Sequence, residues 1–253
     1  PPARGPAPAD SDPASARAVS LAGTPPVAAT ATSTAAADES LLSTTGTTWR
    51  YLDDNTNPAG SAADQRVWTT TAFDDSAWKS ATGAFGAKRG AATGIGAAFP
   101  VTSLLTPYVA GTTTDVPTFF FRTDVELTAA DLDGVPAFEG EIVYDDAAIV
   151  YVNGEEVVRL GDDDRKITEN LQCHGNGRSG AEAGAVGRPA DAFEPGENTI
   201  SVALYQDAPT SSDIYLDVRS LVPTHGEVRD GGIFVGAEGT LAGGAGWSPL
   251  AGG

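Results

Sequence analysis

Two adjacent carboxyl groups are the part of this sequence that comes closest to catalytic chemistry. Asp145 and Asp146 separate two apolar runs, IVY and AAIVYV. Hydrolysis by two carboxyl groups needs both in one cleft, with their pKa values pushed apart so that one donates and the other accepts a proton. Neighbouring residues of an extended strand point to opposite faces, so this pair is better suited to a turn. An enzyme with acidic catalytic residues therefore stays only a minor alternative.

Nucleophilic catalysis by cysteine or serine has little support in the sequence. Cys173 is the single cysteine, which excludes an intrachain disulfide, and a reactive thiol would need an electropositive neighbourhood. His174 and His225 are the two histidines, and neither stands in triad-like order with a Ser, Cys or Asp. We interpret the thiol as structural, both histidines as solvated loop residues and the acidic run 162–164, which lacks EF-hand spacing, as solvated charge.

The acidic composition limits the partners. The 253-residue chain has a formal net charge of −19 and a pI near 4.2. Nucleic acids and anionic membrane surfaces both attract clustered Lys and Arg, so we expect no nucleic-acid and no membrane partner. We expect a secreted, extracellular protein with a well-solvated surface. A surface built for a cationic partner is the alternative.

Composition also divides the chain into three parts. Residues 1–40 are dominated by Ala, Pro, Ser and Thr and cannot bury enough surface to offset backbone entropy, so they are predicted to be a disordered leader or linker. Residues 41–223 hold the apolar segments of one domain. Residues 224–253 are Gly-rich and are predicted to be a tail or linker. The start at Pro1 fits a processed secretory N-terminus or a cut chain equally well.

The clearest local signal lies in residues 141–160. Asn153-Gly154 stands between the runs AIVYV and EVVRL, and such a pair favours a type I′ turn because Asn tolerates positive φ and Gly adopts it freely. Asp145-Asp146 interrupts the preceding apolar run. The segment is therefore predicted to form three consecutive strands of an antiparallel meander.

A second strong strand is predicted over residues 118–127. Phe119 and Phe121 fall on one face, whereas Phe120 shares the other face with polar residues. A phenylalanine on the polar face indicates that loops cover this face too. Thr128 is predicted to cap a short helical turn.

The remaining segments complete an all-β pattern. Strands are predicted at residues 49–52, 199–205 and 214–218, and long surface loops at the Gly-rich residues 83–96 and at the polar residues 162–190. Short strands, frequent turns and almost no helical period predict a two-sheet antiparallel β-sandwich of jelly-roll type.

Several phrases together resemble a known family of modules. These are FDDSAWKS at 73–80, FFFRTDVEL at 119–127, YDDAAIVYVNGEEVVR at 144–159 and PGENTISVALYQ at 195–206. They resemble the galactose-binding-like, carbohydrate-binding-module-like β-sandwiches of secreted bacterial proteins. The form that opens with Trp49-Arg50-Tyr51 is most similar to the module N-terminal to calcineurin-like metallophosphoesterase domains. Ala147 and Tyr205 depart from that pattern, where a glycine and a histidine are usual.

The resemblance implies a structural calcium ion as the one expected cofactor. Related sandwiches hold such an ion between an early loop and the last strand, and Asp53, Asp54 and Asp217 stand at those positions. The alternative is that Asp53-Asp54 simply forms a turn with Asn55.

A carbohydrate ligand would need an exposed aromatic ring to stack on the sugar and polar side chains to bind its hydroxyl groups. Trp68 and Tyr215 are the candidate rings, with Asn153, Gln206 and Asp213 as candidate polar partners. Trp49 and Trp78 are predicted to be core residues, and a core position for Trp68 is the alternative.

The sequence thus predicts a non-catalytic accessory module of a secreted hydrolase, acting by packing against a catalytic domain or by weak glycan binding. The resemblance implies a metallophosphoesterase as parent enzyme, yet its DxH, GDxx and GNHE metal-ligand motifs do not occur in these residues. A stand-alone surface or adhesion protein is the second hypothesis.

Overall fold

The computed structural model of this chain describes residues 40–135, 137–162, 164–175, 181–224, 236–239 and 248–249, with side chains described outside 181–190, 224, 236–239 and 248–249. Its secondary structure is almost entirely β, and the strands form two packed sheets. The prediction of an all-β two-sheet sandwich is therefore confirmed. Among the described residues, no helix combines the length and the apolar character needed to cross a bilayer.

The strands follow one another along the described chain as β1 (Leu42–Ser43), β2 (Thr48–Leu52), β3 (Lys79–Thr82), β4 (Phe85–Lys88), β5 (Ser103–Leu104), β6 (Thr118–Leu127), β7 (Ala137–Asp145), β8 (Ala147–Val152), β9 (Glu155–Leu160), β10 (Ala181–Pro189), β11 (Gly196–Tyr205), β12 (Asp213–Thr224), β13 (Gly236–Gly239) and β14 (Ser248–Pro249). Helical turns are few: α1 (Ala129–Leu132) and two 3₁₀ turns, Val67–Thr69 and Ala190–Ala192.

The two sheets share the strands unequally. The larger sheet has the order β14-β13-β10-β7-β12-β4-β5, with β1 also paired to β12, and the smaller has the order β3-β2-β6-β11-β8-β9. Neighbours are antiparallel except for β4 and β5, which are parallel. The main core lies between the sheets and includes Trp49, Phe121, Phe138 and Leu204.

The chain crosses from one sheet to the other at Asp145-Asp146. β7 ends at Asp145 between β10 and β12 of the larger sheet, whereas β8 lies between β11 and β9 of the smaller sheet. The predicted meander over residues 141–160 is therefore wrong at its first turn. Apolar patterns report how buried a strand is, and they do not report which sheet it joins.

The second turn of this segment matches its prediction. Asn153 and Gly154 connect the paired residues Val152 and Glu155, and both have positive φ, 51° and 90°. This is the backbone of a type I′ hairpin.

Gly154→Ala should lower the free energy of unfolding by about 2 kcal/mol, since a side chain at this φ is strained. The added Cβ would also lie 3.2 Å from Thr70 Cγ2. Gly60, with φ 55° and no atom within 4 Å of an added Cβ, provides the matched control. Gly60→Ala should cost about 1 kcal/mol in urea unfolding, and equal costs for the two variants would show that the Thr70 contact contributes nothing.

Loops cover the outer face of the six-stranded sheet, as the pattern of residues 118–127 predicts. Phe119 and Phe121 join the main core, whereas Phe120 packs into a second cluster with Trp68 and Tyr151. The Trp68 ring lies edge-on to both, with centroid distances of 5.0 Å to Phe120 and 5.7 Å to Tyr151. The smaller sheet is thus buried on both faces.

Arg122 of β6 binds the loop that contains Trp68, Thr70 and Asp75 and so holds it against the sheet. Its side chain is 2% exposed, and its Nε donates to Asp75 Oδ2 at 2.7 Å. Its Nη1 donates to the carbonyl oxygens of Trp68 and Thr70. One guanidinium therefore satisfies a carboxylate and two backbone acceptors that the loop would otherwise bury unpaired.

A smaller cluster covers the outer face of the larger sheet. Ile95 and Phe99 pack there with Val143 and Tyr215. The prediction that residues 83–96 form a surface loop is wrong for Phe85–Lys88, which form β4. Gly86 allows β4 to approach β12 closely: an added Cβ would lie 2.9 Å from the carbonyl oxygen of Ile214.

The predicted boundaries fall partly outside the described residues. Of the leader 1–40 only Ser40 is described, and its Oγ accepts a hydrogen bond from the Leu221 amide at 2.9 Å. The predicted tail 224–253 contains β13, which pairs with β10, and β14, and its other residues after Thr224 lie outside. The polar excursion 162–190 is not one long loop, because it includes β10.

Candidate functional site

Four carboxyl groups meet at the end of the sandwich where the chain crosses between the sheets. β7 delivers Asp145, Asp146 starts the return to β8, the β11–β12 connection provides Asp207, and β12 begins with Asp213. We call these four residues the acidic corner. Asp145 and Asp146 are only 3% and 4% exposed, so the corner lies largely inside the fold.

Backbone and side-chain donors hold Asp146 in place. Its Oδ2 accepts the Asp207 amide hydrogen at 2.7 Å and lies 3.5 Å from Ser211 Oγ. Its own amide donates to the carbonyl oxygen of Tyr205 at 3.1 Å. Asp145 and Asp146 are consecutive residues, and both of their side chains are buried at this point.

Burial shifts the titration of both carboxyl groups. It raises the pKa of Asp145 well above its usual range, and the charges of Asp146 and Asp213 raise it further. Burial also raises the pKa of Asp146 to about 6, although the hydrogen bonds from Asp145 and the Asp207 amide act in the opposite direction. Lys88 lowers the pKa of Asp145 in part, but its Nζ lies 3.1 Å from Asp213 Oδ2, with which it pairs.

The position of this pair does not match the carboxyl pair of a glycosidase. The two carboxyl groups of a glycosidase stand roughly 5–10 Å apart, with the sugar between them, whereas Asp145 and Asp146 are consecutive residues and both are buried. Burial, Asp115, Asp207 and Asp146 raise the pKa of the nearby Cys173 thiol, so little of it is the nucleophilic thiolate. Burial also raises the pKa of Asp115 to about 6.

A second polar network centres on Asp162, which is 1% exposed. Its Oδ2 accepts from Arg159 Nη1 at 2.8 Å and from the Ile167 amide at 3.1 Å. Its Oδ1 accepts from the Lys166 amide at 2.8 Å and lies 3.1 Å from Nε2 of the buried His174. The predictions that Asp162 is a solvated charge and His174 a solvated loop residue are wrong, because the loop folds back over both.

Asp162, Asp164 and His174 place three ligand-type atoms within 4.8 Å of one another. Both oxygens of Asp162 already accept two contacts each, however, and burial of its charge is offset by these donors. Burial alone would raise the pKa of Asp162, but the bonds from Arg159 and the backbone amides hold it below its usual value. The group therefore fits a loop anchor better than a metal site.

The residues predicted for calcium do not come together. Asp53 accepts from Lys79 Nζ at 2.6 Å and from the Thr106 amide at 2.8 Å, beside the start of β3. Asp217 accepts from Thr44 Oγ1 at 2.6 Å and lies by Gly83, just past the end of β3. Asp53 and Asp217 thus bind different partners, and among the described residues neither belongs to a group of three ligand-type atoms within 4.8 Å of one another.

Asp54 accepts the Thr56 amide in a local turn at 3.0 Å. The turn alternative proposed from the sequence therefore describes this segment, and Asp53, Asp54 and Asp217 form no shared oxygen cage. The prediction of these three residues as one site is corrected accordingly.

The two rings predicted to stack on a sugar are both buried. Trp68 is 1% exposed within the second cluster, and Tyr215 is 0% exposed, with its hydroxyl donating to the Pro100 carbonyl at 3.2 Å. Neither ring offers a face to solvent, so the stacking geometry predicted for them is absent. The core alternative for Trp68 is the observed one, whereas Trp78, predicted as core, is half-buried.

The predicted polar partners lie at opposite ends of the sandwich. Asn153 occupies the β8–β9 turn, where its Nδ2 donates to Asn198 Oδ1 and its Oδ1 accepts the Thr199 amide. Asp213 belongs to the acidic corner, and buried Gln206 follows β11 at the same end. Its Oε1 has no hydrogen-bond partner within the described residues. The five predicted sugar-binding residues thus do not converge.

The fold brings together acidic groups whose burial the sequence alone does not predict. Asp145-Asp146 was a visible signal, because two acids interrupt an otherwise continuous apolar run, but the turn interpretation concealed their burial. Asp115 and Asp207 carried no local signal, since only the folding of separate connections places them near Cys173.

Comparisons with known proteins address the fold and no more. No protein-family model matches this sequence, and no curated protein sequence matches it. The similar solved structures include a glycoside hydrolase family 2 member from Bacteroides cellulosilyticus, with 15% identity and a TM-score of 0.35, covering 72% of this chain and 20% of that one.

Two further solved structures are similar to this chain at the same low level. A Bacteroides uniformis β-glucuronidase has 15% identity and a TM-score of 0.34, with coverages of 72% and 18%. An Amycolatopsis orientalis exo-chitosanase has 12% identity and a TM-score of 0.35, with coverages of 69% and 20%. This chain spans about a fifth of the length of these proteins, and similarity this low carries no statement about activity.

Proposed function

We propose that this chain is a non-catalytic accessory β-sandwich module of a secreted hydrolase, and that it acts by packing against a catalytic domain or by weak glycan binding. The observation that supports the proposal is that the buried charged groups of this chain bind its own backbone. Arg122 fastens the loop over the smaller sheet, and Asp162 fastens the loop of residues 161–175. In both networks the charge organises the chain's own backbone.

The surface favours packing over glycan binding. Among the described residues, Leu104, 49% exposed, is the one large apolar side chain that is exposed to solvent. No aromatic ring of the described residues is exposed in this way. Trp78 is half-buried beside Phe73 and Trp68, with centroid distances of 5.8 Å and 6.4 Å. It is the ring we assign to any weak sugar contact.

Activity assays on the full 253-residue chain test the non-catalytic role. We expect no turnover of p-nitrophenyl phosphate or p-nitrophenyl glycosides above buffer, with or without added divalent metal. Turnover that co-purifies with the chain and disappears in Asp146→Asn would overturn the proposal.

Thermal unfolding with an oligosaccharide panel tests weak glycan binding, because a ligand that binds the folded state raises the midpoint temperature of unfolding. A rise lost in Trp78→Ala would support weak glycan binding over packing.

The metallophosphoesterase parent rests on the sequence resemblance alone and has its own test. The coding sequence on either side of this chain should contain the DxH, GDxx and GNHE ligand motifs. A gene without them would remove this parent while leaving the accessory role untouched.

A further inference from the structure

The acidic corner joins three separate parts of the chain. Asp145 and Asp146 stand at the crossover between the sheets, and Asp146 Oδ2 binds the Asp207 amide at 2.7 Å. The carbonyl oxygen of Asp207 in turn accepts the Gly175 amide at 2.8 Å. A change in the charge of the Asp145–Asp146 pair therefore acts directly on the β11–β12 connection. Through the Asp207 carbonyl contact it also acts on residues 172–175.

The groups that face the pair are mostly acidic. Lys88 of β4 and Asp213 of β12 face Asp145, and they are paired with each other at 3.1 Å. Asp207 and Ser211 of the β11–β12 connection face Asp146. Beyond them lie Cys173 and Asp115. Among the described residues, Lys88 is the cation that faces the pair, and Asp213 already engages it, so a second negative charge on the pair is unfavourable.

We propose that the Asp145–Asp146 pair is a pH-sensitive contact: on mild acidification it takes up a proton, which relieves the repulsion among the buried acids where the crossover meets the β11–β12 connection. This inference does not rest on the proposed function.

The direction of the effect follows from proton linkage. Burial raises the pKa of Asp146 to about 6, above its ordinary 3.8, so the folded protein holds this proton more tightly than the unfolded chain does. The contribution to stability is complete below about pH 4 and is lost as the pH rises through about 6. The free energy of unfolding of the domain should therefore increase as the pH falls from neutral to 5.

Denaturant unfolding of the full chain at several pH values tests the proposal. From pH 7.5 to 5, Asp146 alone should decrease the unfolding equilibrium constant roughly tenfold. Asp146→Asn keeps the shape of the protonated acid and cannot ionise, so it should lack this part of the decrease and be more stable than the wild type at pH 7.5. Asp133→Asn removes an exposed carboxylate and serves as the charge-matched control with an unchanged pH profile.

Two further measurements separate this contact from a purely structural role. Asp115→Asn removes the other group that titrates near pH 6, and its effect should add to that of Asp146→Asn. The NMR shifts of the Asp207 and Gly175 amides should titrate near pH 6 in the wild type and in Asp145→Asn, which retains Asp146. They should not titrate in Asp146→Asn. Parallel pH profiles for wild type and Asp146→Asn, or amide shifts that titrate in both, would overturn the proposal.

Discussion

Arg122→Met should lower the free energy of unfolding by about 3 kcal/mol or more, because it removes one partner of a buried ion pair and leaves the other unpaired. Methionine fills a similar space but donates no hydrogen bond. It would leave the Asp75 carboxylate and the carbonyl oxygens of Trp68 and Thr70 without their donor. The loop that covers the second cluster depends on these contacts.

The neighbouring strand offers a matched control for Arg122. Arg50 pairs with Arg122 across β2 and β6, yet it is exposed. Arg50→Met should change stability by less than about 0.5 kcal/mol, as surface substitutions usually do. Urea unfolding measures both variants, and a double-mutant cycle with Asp75→Ala isolates the ion pair. Similar small losses at Arg122 and Arg50 would show that the loop holds without the guanidinium.

The second large effect is expected at Asp162. Asp162→Ala should also cost about 3 kcal/mol or more, since it leaves two backbone amides without their acceptor and removes one carboxylate partner of the half-buried Arg159 guanidinium. Asp164→Ala is the control, because Asp164 is exposed and its ion pair with Lys166 lies at the surface, where such a pair contributes little to stability.

The pH dependence of the Asp162 effect has the opposite sign to that of the acidic corner. Its pKa is held low, so its contribution is present above the ordinary value near 3.8 and is lost only as the pH falls through the lowered one. The difference between wild type and Asp162→Ala should therefore not shrink as the pH falls from 8 to 5. A difference that shrinks within this range would contradict the anchoring role.

Local signals in the sequence predicted the local structure well. The Asn153-Gly154 turn needs only two residues with positive φ, and it forms as predicted. Thr128 caps α1 with its side chain and Asp131 returns the contact, which completes a capping box. The two faces of β6 were also predicted, because the alternation of its side chains is fixed by the backbone.

Features that depend on distant segments could not be predicted in this way. β7 and β8 look continuous in sequence because both are buried, so nothing local shows that they belong to different sheets. Asp162, His174 and Trp68 have the composition of surface or ambiguous residues. Their burial comes from loops that return over the sheets, and such returns leave no periodic pattern in the chain.

The burial of β8 on both faces has a consequence for the unfolded chain. All six residues of Ala147–Val152 are buried, and they form an uncharged, β-prone segment without Pro or Gly. Segments of this kind are the sequence signature of cross-β aggregation. In the folded protein β11 and β9 occupy both edges of β8, and on the unfolded chain Asp145-Asp146 and Glu155-Glu156 flank it as charged gatekeepers. Asp145 and Asp146, whose buried charge destabilises the fold at neutral pH, thus oppose self-association of the chain before folding is complete.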